Sequence, residues 1–142
     1  ATPGIELMAE IGSTFTLLAE LSAAPDVGDV DTGRGIDRTG SDTLDVEVDG
    51  TNGYLSLVTM LAPSPDWFVG FAALQVYEGD TWIDRLVVDL QPYDAGTDSG
   101  TQFRSANLDT QPPQPISGPR DSAFVAAAAE GRFGYVVVER IG

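Results

Sequence analysis

Two short segments carry the residues of this chain that could do chemistry. They are Ser64-Pro65-Asp66-Trp67-Phe68-Val69-Gly70 and Pro92-Tyr93-Asp94-Ala95-Gly96-Thr97-Asp98-Ser99-Gly100. Together they offer three carboxylates on glycine- and proline-rich loops, each loop beside an aromatic residue. Asp94 and Asp98 lie four positions apart around Gly96, a spacing that lets a tight loop turn both carboxylates and some backbone carbonyls toward one point. Asp66 lies 28 positions before Asp94 and follows Pro65 at the start of an apolar run, so a sandwich of strands could set it beside them. Carboxylates held together repel by about 4 kcal/mol per pair at roughly 4 Å and an effective dielectric of about 20. A divalent cation relieves that repulsion, and an oxygen-only donor set suits Ca2+. Equally, each Asp can accept backbone N–H groups in an Asx turn. Spacing alone leaves both readings open.

Composition removes most alternatives. The chain has no cysteine and no histidine, and its seven basic residues are all arginine. Disulfides, thiolate zinc sites and iron–sulfur clusters are therefore absent, as is the commonest general base. Without lysine there is no P-loop and no Schiff base. The net charge of −15, from 22 acidic and seven basic residues, makes nucleic acid an unsuitable partner. Two readings of that acidity stand, cation binding at a few points and adaptation to a saline medium in which salt screens self-repulsion. No stretch reaches the roughly 18 consecutive apolar residues of a membrane span. The opening Ala1-Thr2-Pro3-Gly4 has no signal-peptide character, so the chain is expected to be a mature or processed form.

At 142 residues, 42% of them hydrophobic, the chain is expected to form one domain. Sixteen glycines, nine prolines and many short β-branched runs favour an all-β fold with short helical segments. Residues 1–24 are expected as a helical segment, 25–42 as an acidic loop and 43–142 as a β-sandwich. Ile5, Met8, Ile11, Phe15, Leu18 and Leu21 are near helical spacing, broken at Gly12, with Ser13 able to cap a second helix. Leu44, Val46 and Val48 alternate as a strand, and the turn at residues 49–53 predicts a hairpin with residues 54–61. Further strands are expected at 67–74, 82–90 and 101–105. Residues 124–129 fit a helical turn or a strand edge. Residues 135–141 should form a central strand, because the run Val136-Val137-Val138 asks for cover on both faces. Trp67, Trp82, Leu86, Val88 and Leu90 are candidate core residues, and Arg85 is expected to pair with Asp84 or Asp89.

The two loop motifs carry a resemblance. Met60 to Gly70, then Trp82, then Val88 to Gly100, and the closing Val137-Val138-Glu139-Arg140-Ile141 resemble the spondin domain family, of the F-spondin and mindin type. The match runs from about Leu44 to the C-terminus. It implies a C2-like antiparallel β-sandwich, secreted or at the cell surface, with Ca2+ bound at one end. By motif position, its calcium-binding carboxylates fall on Asp66, Asp94 and Asp98. Tyr93 stands where animal members usually carry Trp, and the cysteines of those members are absent, as in a prokaryotic version.

The resemblance also implies one or two strands ahead of the helical segment, whereas here the chain opens almost at the helix. Either that strand has been removed or another chain supplies it, which would leave an open sheet edge for self-association by β-strand complementation. The function expected is a non-enzymatic, calcium-binding adhesion or matrix module with an extracellular protein or glycan partner. A filament or matrix subunit is one alternative. A carbohydrate-binding protein using Trp67 and Trp82 as an aromatic platform is another. The aspartates at 26, 29, 31, 37 and 42 lack the ligand order of an EF-hand and are read as solvated.

Overall fold

The structure is a computed structural model and describes residues 1–37 and 39–142. Helix α1, Pro3–Ile11, starts where the sequence supplies a start signal. Pro3 and Gly4 open it, and the Thr2 hydroxyl accepts the Ile5 N–H at 3.3 Å. It stops at Gly12. Helix α2, Phe15–Ala23, follows, so the helical stretch is two short helices. Thr14, not Ser13, is the residue ahead of α2, and its side chain makes no capping bond. Glu20 of α2 instead serves α1. Its carboxylate accepts the Gly4 N–H at 2.8 Å and the Thr2 hydroxyl at 2.6 Å, placing negative charge at the positive end of α1. The helices touch at Gly4, where a Cβ would stand 2.6 Å from the Leu17 Cα.

The strands are antiparallel throughout. Strand β1, Tyr54–Met60, pairs with β2, Trp67–Gln75. Strands β3, Tyr77–Glu78, and β4, Thr81–Trp82, form a small hairpin whose turn at Gly79 and Asp80 has positive φ at both positions, as an I′ turn requires. Strand β5 spans Arg85–Asp89 and β6 spans Gln91–Asp94. Helix α3, Ser122–Glu130, and strand β7, Tyr135–Glu139, complete the order. The sheets are β1-β2-β6, β3-β4 and β5-β7. This is the all-β fold with short helical segments that the composition predicts.

Several local expectations need correction. Residues 44–48 form no strand. A side chain takes one of their backbone donors: Asp29 accepts the Glu47 N–H at 2.8 Å. β1 takes β2 as its partner, so the predicted hairpin does not form. The run from 82 to 90 is interrupted between β4 and β5, where Ile83 donates to the Val76 carbonyl. Residues 101–105 make a turn in which the Ser105 hydroxyl and N–H both engage Gln102. The C-terminal strand is not central. Among the described residues β7 pairs only with β5, its side chains alternate between exposed and half-covered, and Val137 is 40% exposed. Arg85 pairs with Glu139 at 3.0 Å, while Asp89 pairs with Arg132 and Asp84 with Arg140.

Two apolar clusters organise the interior. Met8 and Ala9 of α1 pack on Phe68 and Ala95, with Val58, Met60 and Tyr93 around them. Trp67, fully buried, stacks on Phe124 at 4.5 Å and meets the edge of Phe103 at 5.0 Å. Phe124 belongs to α3, so residues 124–129 lie on a helix and not a strand edge. Ala126 to Ala129 favour that outcome through their helix propensity. No helix among the described residues is long and apolar enough to cross a membrane.

Candidate functional site

The site is built where β2 begins and β6 ends, because Trp67 and Asp94 are register partners. Asp66 precedes β2 in a tight turn closed by Ser64, whose hydroxyl accepts the Trp67 N–H at 3.2 Å. The Asp66 carbonyl accepts the Ala95 N–H at 3.1 Å, which fixes the main chain of one loop to the other. Its side chain continues the attachment. Oδ2 accepts the N–H groups of Thr97 at 2.7 Å and Asp98 at 3.1 Å. Oδ1 is buried and has no hydrogen-bond partner among the described residues.

Asp94 and Asp98 each form the Asx turn that their sequence context permits. Asp94 Oδ1 accepts the Gly96 N–H at 2.9 Å, and Asp98 Oδ1 accepts the Gly100 N–H at 2.6 Å. Asp98 Oδ2 also accepts the Leu108 N–H at 2.9 Å. Gly96 has φ of 76°, and a Cβ there would lie 2.5 Å from the Gln114 carbonyl oxygen. Only glycine suits that position.

A strap formed by residues 108–117 runs antiparallel along residues 94–99. Ser99 and Leu108, Thr97 and Thr110, Gly96 and Gln114, and Asp94 and Ser117 are joined by backbone hydrogen bonds of 2.7–3.0 Å. The loop is thus held by Asp66 and by the strap, and is rigid in the sense that few of its N–H groups are left to water.

All three aspartates are buried, at 0%, 3% and 7% exposure for Asp66, Asp94 and Asp98. The Asp94 carboxyl is raised from its ordinary 3.8 to about 6 by burial, and then by the neighbouring Asp66; Arg120 and the Gly96 N–H oppose the rise. Burial also raises Glu10 at the end of α1. Glu6, Asp98 and Asp109 add to that shift, against the Thr97 hydroxyl. One Glu10 oxygen is buried without a hydrogen-bond partner among the described residues.

The structure therefore brings the three sequence-selected aspartates into one neighbourhood. It does not arrange them as a closed cage: among the described residues, no three Asp, Glu, His or Cys side chains converge at metal-binding distance. The donor set nevertheless has the chemistry a hard cation takes. Each carboxylate oxygen has two lone pairs, so one N–H bond leaves capacity for a cation, and the Asp66 Oδ1 has its full capacity free. Trp67 cannot serve as a ligand platform, because it is fully buried. Trp82 is half-covered and packs on Tyr77 at 4.5 Å.

Residues that sequence reasoning missed are Glu10, Arg120 and the strap. Arg120 donates to the Ser117 hydroxyl, the Gln114 side-chain oxygen and the Pro115 carbonyl, and its charge acts on Asp94. No local motif marks it. Its relevance comes from the strap folding back.

Fold and site define an antiparallel β protein with short helices, in which two acidic loops meet at one end of the β2–β6 pair. The Spondin_N family model matches residues 1–127, and the chain belongs to the spondin family. It is 37% identical over 119 residues to Spondin-2 of Homo sapiens, covering 80% of this chain and 36% of that protein. It is 31% identical over 125 residues to Spondin-1 of Rattus norvegicus, covering 82% of this chain and 16% of that protein. Spondin-1 of Gallus gallus is 32% identical over the same length. The chain thus spans about a third of one relative and a sixth of the others.

Proposed function

We propose that this chain is a calcium-binding adhesion or matrix module, secreted or at the cell surface, that acts by binding and not by catalysis. Ca2+ would be held by Asp66, Asp94 and Asp98, pinning the segment before β2 to the loop after β6. The observation that carries this reading is the buried Oδ1 of Asp66, without a hydrogen-bond partner among the described residues, in a neighbourhood where burial first and the Asp66 charge second push Asp94 toward protonation. A buried carboxylate oxygen without a donor costs stability unless a cation or a proton satisfies it. Spondin-family membership supports the extracellular setting. Extracellular calcium modules bind in the range of about 10^-4 to 10^-3 M, so the metal would be bound where calcium is abundant.

The test is thermal melting in excess EDTA and across a calcium titration, at low and high NaCl. A saturable rise with calcium that survives high NaCl supports the site. Stabilisation by NaCl alone, with nothing added by calcium, would reduce the loops to capped turns and the acidity to a response to salt.

A second reading, self-association through a sheet edge, is favoured by the two-stranded β5–β7 ribbon. Neither strand has another partner among the described residues, and Val87, Tyr135 and Val137 are exposed on it. A monodisperse monomer on size exclusion at high protein concentration would remove it.

A further inference from the structure

The β5–β7 ribbon has two unlike faces, because side chains alternate across a strand. One face is half-covered. The other is exposed and carries Arg85, Val87, Asp89, Tyr135, Val137 and Glu139. Val87 and Val137 are register partners at its centre. Arg85 and Glu139 close one end at 3.0 Å. At the other end Asp89 holds Arg132 at 3.2 Å, and that guanidinium stands 6.0 Å from the centre of the Tyr135 ring. Charge sets the ribbon apart from the rest of the surface. Residues 84–90 and 132–141 contain three arginines and three carboxylates, paired one to one, so the remainder of the chain holds the whole net charge of −15.

We propose that the exposed face of this ribbon binds a second copy of the chain, face to face across a two-fold axis. Two such acidic bodies repel wherever like-charged surfaces meet, and an isologous contact sets a patch against itself. The patch must therefore be complementary to itself, and the ribbon is. An axis in its plane and across the strands sets Arg85 of one copy against Asp89 of the other, Glu139 against Arg132, and Val87 against Val87. An axis along the strands sets Arg85 against Glu139 and Val87 against Val137. Opposite charges meet in both cases, with the valines between them. A basic partner is drawn instead to the acidic remainder of the surface. The contact goes beyond edge pairing. Among the described residues the ribbon has two free edges, from which pairing can pass from copy to copy, whereas an isologous face closes the assembly at two. Five residues at about 3.4 Å each and two strands about 4.8 Å apart make a small face. It falls below the roughly 800 Å2 per partner of a standard interface, so the dimer is weak and forms at high protein concentration. The metal site takes no part in it.

Sedimentation velocity over about a hundredfold range of protein concentration tests this, in EDTA and at high NaCl to screen the repulsion between the two bodies. The mass should rise with concentration and level at two copies. Val87→Asp sets like charges face to face and should weaken the dimer about tenfold or more. Arg85→Gln removes an exposed pair worth little to the monomer, so it should weaken the dimer and leave the melting temperature unchanged. Phe15→Asp, at an exposed apolar residue on α2, should dimerise as the parent does. A monomer across the whole range would overturn the proposal and the edge reading together. Growth past two copies would overturn it and leave the edge reading standing. A dimer that neither Val87→Asp nor Arg85→Gln weakens would overturn it too, since its contact then lies elsewhere.

Discussion

Asp66 Oδ2 accepts the Thr97 N–H at 2.7 Å, across 31 positions of sequence, in a place sealed from solvent. This bond and its neighbour from Asp98 make Asp66 structural even before any metal is considered. Asp66→Ala should therefore cost about 2 kcal/mol or more in EDTA, because two buried N–H groups lose their acceptor. Asp66→Asn, whose amide oxygen still accepts, should cost less in EDTA and yet lose the calcium response. Urea denaturation of both variants with and without calcium measures this. Equal calcium stabilisation of Asp66→Asn and the parent chain would exclude Asp66 as a ligand.

Asp94 should behave in the opposite way. It is buried against Asp66 and held partly toward its neutral form, so Asp94→Asn removes a repulsion while keeping an acceptor for the Gly96 N–H. At pH 7 in EDTA this variant should melt no lower than the parent, and higher if the repulsion dominates. In calcium the order should reverse, since the parent gains about 2.7 kcal/mol at a hundredfold excess over Kd and the variant does not. A parent chain that gains nothing would sink the prediction.

The pH dependence has a definite sign. Between about 3.8 and about 6 the folded chain keeps a proton on Asp94 that the unfolded chain has released. Metal-free stability from this group therefore falls as pH rises through that window and is level above it, the reverse of an ordinary paired carboxylate. The raised Glu10 adds in the same direction. Calcium competes with the Asp94 proton, so its affinity should climb with pH up to about 6 and then flatten. Calorimetric titrations at several pH values across this range check it. A calcium affinity independent of pH there would contradict the assignment of Asp94 as a ligand.

Gly96→Ala tests the backbone. With φ of 76° and a Cβ only 2.5 Å from the Gln114 oxygen, the substitution must shift the strap. Left-handed strain alone costs about 1–2 kcal/mol, and the displaced strap adds to it. A drop in melting temperature together with weaker calcium stabilisation is expected. Gly118→Ala, where a Cβ would meet nothing within 4 Å, is the control.

The aromatic pair supports the same corner from below. Phe124 is fully buried and stacks on Trp67, the residue that follows Asp66. Phe124→Ala should cost about 3–5 kcal/mol. It should also shift the tryptophan emission to the red as Trp67 becomes wetter. A mild effect on both would mean that α3 is not needed to seat β2.

Strong local signals were legible in the sequence. Gly12 breaks the helical stretch in two, as its place in the helical spacing predicts, and β2 follows its apolar run. The Asx turns of Asp94 and Asp98 are local chemistry that the glycine spacing of the second motif already carries, whereas Asp66 joins them through N–H groups more than 30 positions away. What failed was pairing. The alternating Leu44, Val46 and Val48 could have made a strand, but Asp29 takes the Glu47 N–H and β1 is matched to β2. The run Val136-Val137-Val138 suggested a central strand, but β7 gained only one neighbour. Strand partners, the strap over residues 94–99 and the arrival of Arg120 near Asp94 depend on contacts between distant residues. Such contacts leave no periodic or spacing signal in one chain, so the tertiary structure alone decided them.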